Sequence, residues 1–251
     1  MRRRLRENLR RFGQSVLDAQ PKQKGQYSPA QLDVAALHGW TVSLYRAVAV
    51  LLREGLPEEA LILCRTQVEA TLRLAYFGRH TDRLEELTLR AAAESIDRQV
   101  GLVKAAAAAG HGALAAARSD DLTAQRAAVR VRARAAGLKR LPKLPRAKAI
   151  AYELGLTRLA WTIEYASHFV HSSRIAMATR ARVNAPDSYT ILTTSPGDPR
   201  LSLTLARLTV ESLGTATLSA WHVLGLSPGD VLAIAAEVLA DLEAAASELP
   251  A

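Results

Sequence analysis

The chain has 251 residues, of which 49% are hydrophobic but only 5% aromatic, and its formal net charge is +9. This length provides ample core for one large domain or two small ones, and a core of Ala, Leu and Val favours helices over sheets. The single cysteine, Cys64, excludes an internal disulfide and fits a reducing cytoplasm, where we expect the protein.

The N-terminal 27 residues form a basic segment, which we separate from a single helical domain over residues 28–251. Residues 2–24 carry eight basic and two acidic side chains, and they predict a helix that frays into a mobile tail. No apolar run follows these arginines, so the segment lacks the pattern of a secretory signal.

Capping signals divide the rest of the chain into helices. Ser28-Pro29 is an N-cap followed by proline at the first helical position, and Gly78 is a natural helix end. A basic helix is predicted to open at Asp120 or Asp121, and a capping box beginning at Ser227 starts the last helix. The predicted helices cover residues 28–54, 57–78, 82–109, 120–137, 147–155, 157–174, 199–225 and 228–249. Two glycines within 105–117 predict a helix end, a turn and a new start, and two prolines predict an extended connection over 138–146.

The fold class follows from this pattern. Pro, Gly and Asp surround a β-branched core after Arg182, which predicts a loop, a lone strand or a short hairpin near 189–194. The remaining pattern predicts an all-α protein, a single bundle of seven to eight helices. One apolar stretch near the C-terminus approaches the length of a membrane span, but Arg207 and Glu211 in its middle indicate soluble core, so we predict no span.

The helix over 57–78 is apolar on two sides, which is typical of a central helix. A polar strip of Arg65, Glu69, Arg73 and Tyr76 also runs along it at helical spacing. Because buried charges must be paired, the strip requires partners on another helix. We predict that helix 157–174 supplies them and forms the central pair with helix 57–78.

Helix 157–174 carries Glu164, His168 and His171 within about 60° of one another. A carboxylate can orient an imidazole as a base. The same residue types suit a metal, but three ligands on one straight helix converge poorly, and we expect no metal or cofactor. The alternative is that these histidines only make structural hydrogen bonds.

Together the two helices provide the groups needed for RNA cleavage by the 2′-hydroxyl. His171 would act as base or acid with His168 as its counterpart, and Arg65 would contact the phosphate. Glu69 or Glu164 would orient the imidazole. The alternative is a buried polar network that fixes the register of the helices.

A second basic region lies over residues 122–152, with nine basic and no acidic side chains. Together with the N-terminal arginines, such a cluster predicts contact with a polyanion, above all nucleic acid, although a solvated helix face has the same composition. The candidate nucleic-acid-binding residues are Arg126, Arg130, Arg132, Arg134, Lys139, Arg140 and Lys143.

The polar residues of the two informative helices also resemble a known group. The residues that carry the likeness are Arg65, Glu69, Tyr76, Tyr165, His171 and Ser173, with Ile150, Ala151, Leu154, Gly155, Trp161 and the run 167–172. They resemble the HEPN superfamily, compact helical bundles often found in toxins and phage defence, many of them metal-independent ribonucleases. In that superfamily an arginine and a polar residue precede the histidine of the ribonuclease motif; Arg73 and His80 have the spacing here, but Leu74 follows the arginine.

This resemblance implies an RNA-directed protein, and specifically a metal-independent ribonuclease of a toxin–antitoxin or phage-defence system. RNA rather than DNA is then the expected partner, and a second copy of the chain is the other candidate partner. A non-enzymatic interaction or dimerisation module with a structural polar network is the alternative. A metal-dependent hydrolase using Glu164, His168 and His171 is a third hypothesis.

Overall fold

The computed structural model describes residues 2–19, 26–170, 181–185, 188–191 and 198–249. The helices in this part of the chain are α1 (Arg2–Asp18), α2 (Pro29–Glu54), α3 (Pro57–Arg79), α4 (Leu84–Ala108), α5 (Gly112–Ala135), α6 (Ala147–Glu153), α7 (Thr157–Val170), α8 (Pro199–Leu224) and α9 (Val231–Ser247). A 3₁₀-helix spans Thr81–Arg83, and two strands, β1 (Ala181–Ala185) and β2 (Ser188–Ile191), pair antiparallel with Val183 opposite Tyr189. The all-α fold class is confirmed, and the hairpin overlaps the start of the range predicted near 189–194.

Local capping chemistry sets both ends of α2 where the sequence predicts them. Ser28 Oγ accepts from the backbone N–H of Gln31 at 3.2 Å, and the Gln31 side chain accepts from the Ser28 N–H at 2.9 Å. This reciprocal pair satisfies two backbone donors at the start of α2. At the other end Gly55 has a φ of 79°, a left-handed conformation that glycine adopts without strain.

The capping box predicted at Ser227 does not form. Helix α9 begins only at Val231, and its N-cap Asp230 makes no side-chain capping bond. Ser227 Oγ instead accepts from the N–H of Gly229 at 3.5 Å. Pro228 therefore lies in the turn that precedes the helix rather than at the first helical position.

Helix α3 lies at the centre of the bundle, as the sequence predicts, but its main partner is different. It packs most extensively against α8, then against α2, and less against α7 and α6. The predicted central pair of α3 with helix 157–174 is therefore wrong. The reason is that the side of α3 carrying Gln67 and Thr71, rather than the charged strip, faces its closest neighbour.

An uncharged hydrogen-bonded seam joins α3 to α8. Gln67 Nε2 donates to the backbone carbonyl of Thr209 at 2.9 Å, and the Thr209 hydroxyl donates to the side-chain oxygen Oε1 of Gln67. One turn further along α3, the hydroxyl oxygens of Thr71 and Ser212 lie 2.7 Å apart. The Thr71 hydroxyl is also 3.2 Å from the Ser212 backbone carbonyl, to which it can donate. All four side chains are fully buried. Because every polar atom in the seam has a partner, the close contact between the two helices carries no unsatisfied group.

Gly78 allows the same two helices to approach at their ends. A Cβ placed on Gly78 would lie 3.2 Å from Ser219 Cβ and 3.3 Å from its backbone. Helix α3 continues through Gly78 to Arg79 and is closed by His80. The prediction that Gly78 ends the helix is therefore wrong, and the glycine serves close packing instead.

Helix α1 belongs to the common core and is not a separate basic segment. Its apolar residues Leu5, Leu9, Phe12 and Val16 are all buried in the same hydrophobic cluster as α3 and α8. The division between residues 1–27 and 28–251 therefore does not apply to α1, and residues 20–25 of the predicted tail lie outside the described residues. Its arginines obscured a clear helical apolar stripe, with one buried residue per turn.

Helices α4 and α5 form a hairpin that projects from the bundle. Helix α5 packs mainly against α4. We call residues 97–126 the arm, because among its described side chains only Ala115 and Leu122 are buried. The turn predicted within 105–117 is present, but α5 runs unbroken from Gly112, so the predicted start at Asp120 or Asp121 is wrong.

In the described part of the chain, α2 alone is long and apolar enough to cross a membrane. Core helices of globular proteins pass the same test, and α2 contributes Val34, Tyr45, Val48 and Leu52 to the hydrophobic core. The stretch singled out from the sequence, now α8, does not meet the criterion.

Candidate nucleic-acid interface and catalytic residues

Two of the predicted nucleic-acid-binding residues are neutralised by carboxylates. Arg126 forms an ion pair with Asp97 of α4. Arg132 pairs with Asp33 of α2 and with Glu85 of α4, each at 3.1 Å. Burial alone would lower the pKa of Arg132, but its hydrogen bonds to these two carboxylates outweigh burial and raise the pKa. These arginines attach the α4–α5 hairpin to itself and to the bundle, so we remove them from the interface.

The other five predicted residues are exposed, and none has a carboxylate within 4.0 Å in the described part of the chain. We call them the basic surface: Arg130, Arg134, Lys139, Arg140 and Lys143. They follow one another from the last turns of α5 into the extended connection over 136–146. The sequence predicts this connection correctly from its two prolines.

Arg90 of α4 holds the connection in place. Its Nε donates to the Pro142 carbonyl at 2.6 Å, and its Nη2 donates to the carbonyl of Lys143. Arg90 is itself buried and also pairs with Glu86 at 3.4 Å. A charged group bonded to two carbonyls strongly constrains the chain that carries them, so the basic surface sits on an anchored backbone.

The catalytic cluster predicted from the sequence does not assemble among the described side chains. Arg65 pairs with Glu69 within α3, with Nε 3.1 Å from Oε1, and both side chains are partly exposed. Glu164 pairs with Lys148 of α6. His171 lies outside the described residues, and His168 lies in α7 with its side chain outside them.

The described side chains of α7 form a buried face and a face exposed to solvent. Leu159 and Ala166 are buried, whereas Glu164 is exposed and Trp161 is 48% exposed. Trp161 stacks on Tyr165 with ring centroids 4.9 Å apart. The partner expected for the strip on α3 is therefore not Glu164. Helical periodicity correctly identifies which residues share a face, but not which helix that face meets.

A different histidine has the orienting carboxylate. His80, which closes α3, has Nε2 3.2 Å from Glu153 Oε1 of α6. The Tyr76 ring packs against the imidazole, with centroids 4.6 Å apart. Arg73 lies two turns before His80 on α3 and approaches Glu94 at 3.9 Å. The Arg73–His80 spacing was the sequence signal for this group, and Glu153 gave none, because it lies 73 residues away.

A search against protein-family models matches residues 34–188 to a family of unknown function, DUF5677. The chain belongs to the DUF5677 family. No curated protein and no solved structure matches it. Nothing in this match bears on the HEPN resemblance, which stays a prediction.

The DUF5677 match contains the basic surface and the His80–Glu153 pair. It begins within α2 and ends at the first residue of β2, so α1, α8 and α9 lie outside it. The seam partners Thr209 and Ser212 are therefore supplied by a helix beyond the family match.

Two further groups with reactive side chains lie in the core. His38 is buried, with Nε2 3.0 Å from Thr217 Oγ1, and burial lowers its pKa to about 4. Cys64 is completely buried, which raises the pKa of its thiol to about 12. Neither can meet a substrate in the folded protein. Among the described residues, no group of three or more His, Cys, Asp or Glu is placed to hold a metal ion.

Proposed function

We propose that this protein binds nucleic acid, RNA rather than DNA, through the basic surface. The observation that supports the proposal is the exposure of five cationic side chains over residues 130–143 without carboxylate partners in the described part of the chain. Surface arginines and lysines without such partners release the counterions of a phosphate backbone when they bind it. The HEPN resemblance supports RNA as the polymer.

The decisive measurement is the salt dependence of binding. Fluorescence anisotropy of a labelled single-stranded RNA over a range of salt concentrations should give a log–log slope of about −0.7 per phosphate contact. Five contacts then correspond to a slope of about −3.5. Replacing Arg130, Arg134, Lys139 and Arg140 with glutamine should reduce the slope by about four contacts.

The matched control is Arg65→Gln, a substitution in the polar strip of α3, which should leave the slope unchanged. A duplex DNA of equal length tests the preference for RNA. No binding at low salt, or an unchanged slope after the four substitutions, would contradict the proposal.

Cleavage of the bound RNA is the second part of the proposal, and the His80–Glu153 pair supports it. Glu153 lies at hydrogen-bond distance from Nε2 of His80 and orients the imidazole. Nδ1 is then left to take the proton of a 2′-hydroxyl as its oxygen attacks the phosphorus, and to return that proton to the 5′-oxygen that leaves. Arg73, about two turns earlier in the chain, supplies a cation for the developing phosphate charge. The ring contact with Tyr76 fixes the plane of the imidazole.

The purified protein should then cleave a mixed-sequence RNA, and chelator should not alter the rate. His80→Gln should lower the rate about 10²–10⁴-fold, as expected for a lost acid or base, while His111→Gln at the exposed end of the arm should not. His171→Gln belongs in the same experiment, because a loss in that variant alone would return catalysis to the residue first predicted. Cleavage abolished by chelator would favour the metal-dependent hydrolase instead.

A dimerisation module is the second candidate function, and one face of α2 favours it. Leu32, Ala36 and Trp40 are exposed at successive turns of this helix, with Trp40 54% exposed. An apolar stripe on a helix surface is typical of a protein interface. Light scattering should then give a dimer mass that Trp40→Asp reduces to that of a monomer. Trp161→Asp, at a similarly exposed tryptophan, should leave the dimer intact.

A further inference from the structure

A cleft between α1 and α2 gathers four arginines. Arg6 and Arg10 of α1 face Arg46 and Arg53 of α2 across a volume of about 390 Å³. We call this volume the arginine cleft. Apolar residues also line the cleft: Leu9, Leu17, Ala49 and Val50.

The arginines of α1 differ according to the side they face. Arg4 and Arg11 each pair with a carboxylate of α9. Arg6 and Arg10 are exposed on the cleft side, and in the described part of the chain neither has a carboxylate within 4.0 Å. The same helix therefore carries two arginines paired with α9 and, on the cleft side, two without a carboxylate partner among the described residues.

The α2 wall adds to this positive charge. Arg53 pairs with the neighbouring Glu54 at 2.8 Å. Arg46 has no carboxylate within 4.0 Å among the described residues. Like charges held around one cleft repel one another. An anionic ligand relieves that repulsion, so the electrostatics of the cleft favour a partner with several negative charges.

The walls of the cleft are fixed before any ligand binds. Tyr45 Oη donates to the Leu9 carbonyl at 2.6 Å, which holds α1 against α2. At Gly13 the helices are so close that a Cβ would lie 2.9 Å from Tyr45 Cε1. Phe12 packs edge-on against the Tyr45 ring, with centroids 5.8 Å apart. A preformed cleft loses little conformational entropy on binding.

We propose that the arginine cleft binds an acidic amphipathic helix of a partner protein. Arg6 and Arg10 are one helical turn apart, and Arg46 and Arg53 are two turns apart. A helix that carries both carboxylates and apolar side chains complements the arginines and the apolar residues that line the cleft. A nucleic-acid backbone has the charge but no apolar stripe. This site is separate from the basic surface and does not depend on RNA binding.

The test uses a designed helical peptide of 15 residues, with leucines on one stripe and glutamates on both flanks, labelled with fluorescein. Anisotropy with the full chain should saturate within about 100 μM protein. A peptide with glutamine in place of glutamate, and one with serine in place of leucine, should each bind at least about tenfold more weakly. Equal binding of the glutamine peptide would overturn the proposal, because charge would then play no part.

Protein variants locate the site. Combined Arg6→Gln, Arg10→Gln and Arg46→Gln should weaken peptide binding at least about tenfold, while Arg130→Gln with Arg134→Gln leaves it unchanged. Val50→Asp, at an exposed residue that lines the cleft, should abolish peptide binding. It should also raise the melting temperature, because a carboxylate among the arginines relieves their repulsion. Undiminished peptide binding by either cleft variant overturns the proposal.

An RNA titration of the same cleft variants separates this site from the basic surface. The triple variant should retain the RNA affinity of the unmodified protein. If it loses RNA binding as fully as the basic-surface variant does, the cleft belongs to a nucleic-acid interface and the peptide proposal is wrong. If the unmodified protein does not bind RNA but still binds the peptide, the proposed function fails while the cleft proposal stands.

Discussion

The α3–α8 pair and the α4–α5 hairpin are both pairs of long helices, but they are held together in opposite ways. Helices α3 and α8 meet through apolar residues and the uncharged seam of Gln67, Thr71, Thr209 and Ser212, all buried. The arm of α4 and α5 buries only Ala115 and Leu122 among its described side chains, and ion pairs such as Arg126–Asp97 lie on its surface.

The difference indicates where the stability of the fold resides. A fully buried leucine contributes several kcal/mol through packing and transfer from water. A surface ion pair contributes only about 0–1 kcal/mol. The arm should therefore open locally at much lower free energy than the α3–α8 pair, although both look equally regular in their helical geometry.

The largest effect should come from removing the same side chain in each region. Leu72→Ala in α3 should lower the free energy of unfolding by about 2–5 kcal/mol, because Leu72 is completely buried. Leu102→Ala in the arm should change it by less than about 0.5 kcal/mol, because Leu102 is 70% exposed. Urea denaturation measures both, and equal losses would refute the proposed difference.

The second effect depends on pH. His38 has a pKa of about 4 in the folded protein against 6.5 when unfolded. As the pH falls, the unfolded chain therefore takes up a proton at His38 before the folded chain does. The contribution of neutral His38 to the free energy of unfolding is complete above pH 6.5 and is lost as the pH falls towards 4. The loss is about 3 kcal/mol.

Stability curves at several pH values for two variants check this assignment. His38→Gln should remove this part of the pH dependence, and His111→Gln in the arm should retain it. Parallel curves for the unmodified protein and His38→Gln would show that His38 is not the titrating group.

The third comparison removes one hydroxyl from each region. Thr71→Val leaves Ser212 without its seam partner and should lower the free energy of unfolding by about 1–3 kcal/mol. Thr123 in the arm donates only to the exposed carbonyl of Ser119 at 2.9 Å, so Thr123→Val should stay within about 0.5 kcal/mol. A stable Thr71→Val protein would mean that the seam contributes packing but no hydrogen-bond energy.

The smallest effect should differ in sign between the two regions. Gly101→Ala in α4 should raise stability by about 0.5–1 kcal/mol, because its Cβ would meet nothing within 4 Å. Gly78→Ala should instead lower stability by about 1 kcal/mol, because contact with the Ser219 backbone outweighs the gain in helix propensity. Thermal melting of both variants measures this difference in sign. A rise in melting temperature for Gly78→Ala as well as for Gly101→Ala would show that α3 and α8 can move apart without a loss of stability.

Much of this architecture is predictable from the sequence, for local reasons. Proline, glycine and capping residues act within a few positions, so the ends of α2 and the connection over 136–146 are predicted correctly. The same reasoning predicts that the basic residues over 130–143 are exposed, because arginines and lysines at the surface need no long-range partner.

Long-range partners were not predictable in the same way. The charges of Arg65 and Glu69 suggested a buried network, but the pair satisfies itself within one helix. Gln67 and Thr71 are uncharged and gave no signal, although they form the buried contact with α8. Glu153 reaches His80 only because the chain folds back through α6. Periodicity identifies the face of a helix, whereas tertiary packing decides what covers it.

Cys64 makes the opening of the core directly observable. It is the only cysteine of the chain, lies on α3, and is completely buried with its thiol protonated at neutral pH. A thiol reagent can modify it only when α3 becomes exposed to solvent. Its labelling rate in native buffer therefore reports the lifetime of the closed core in the unmodified protein, and an arm that opens alone leaves that rate unchanged.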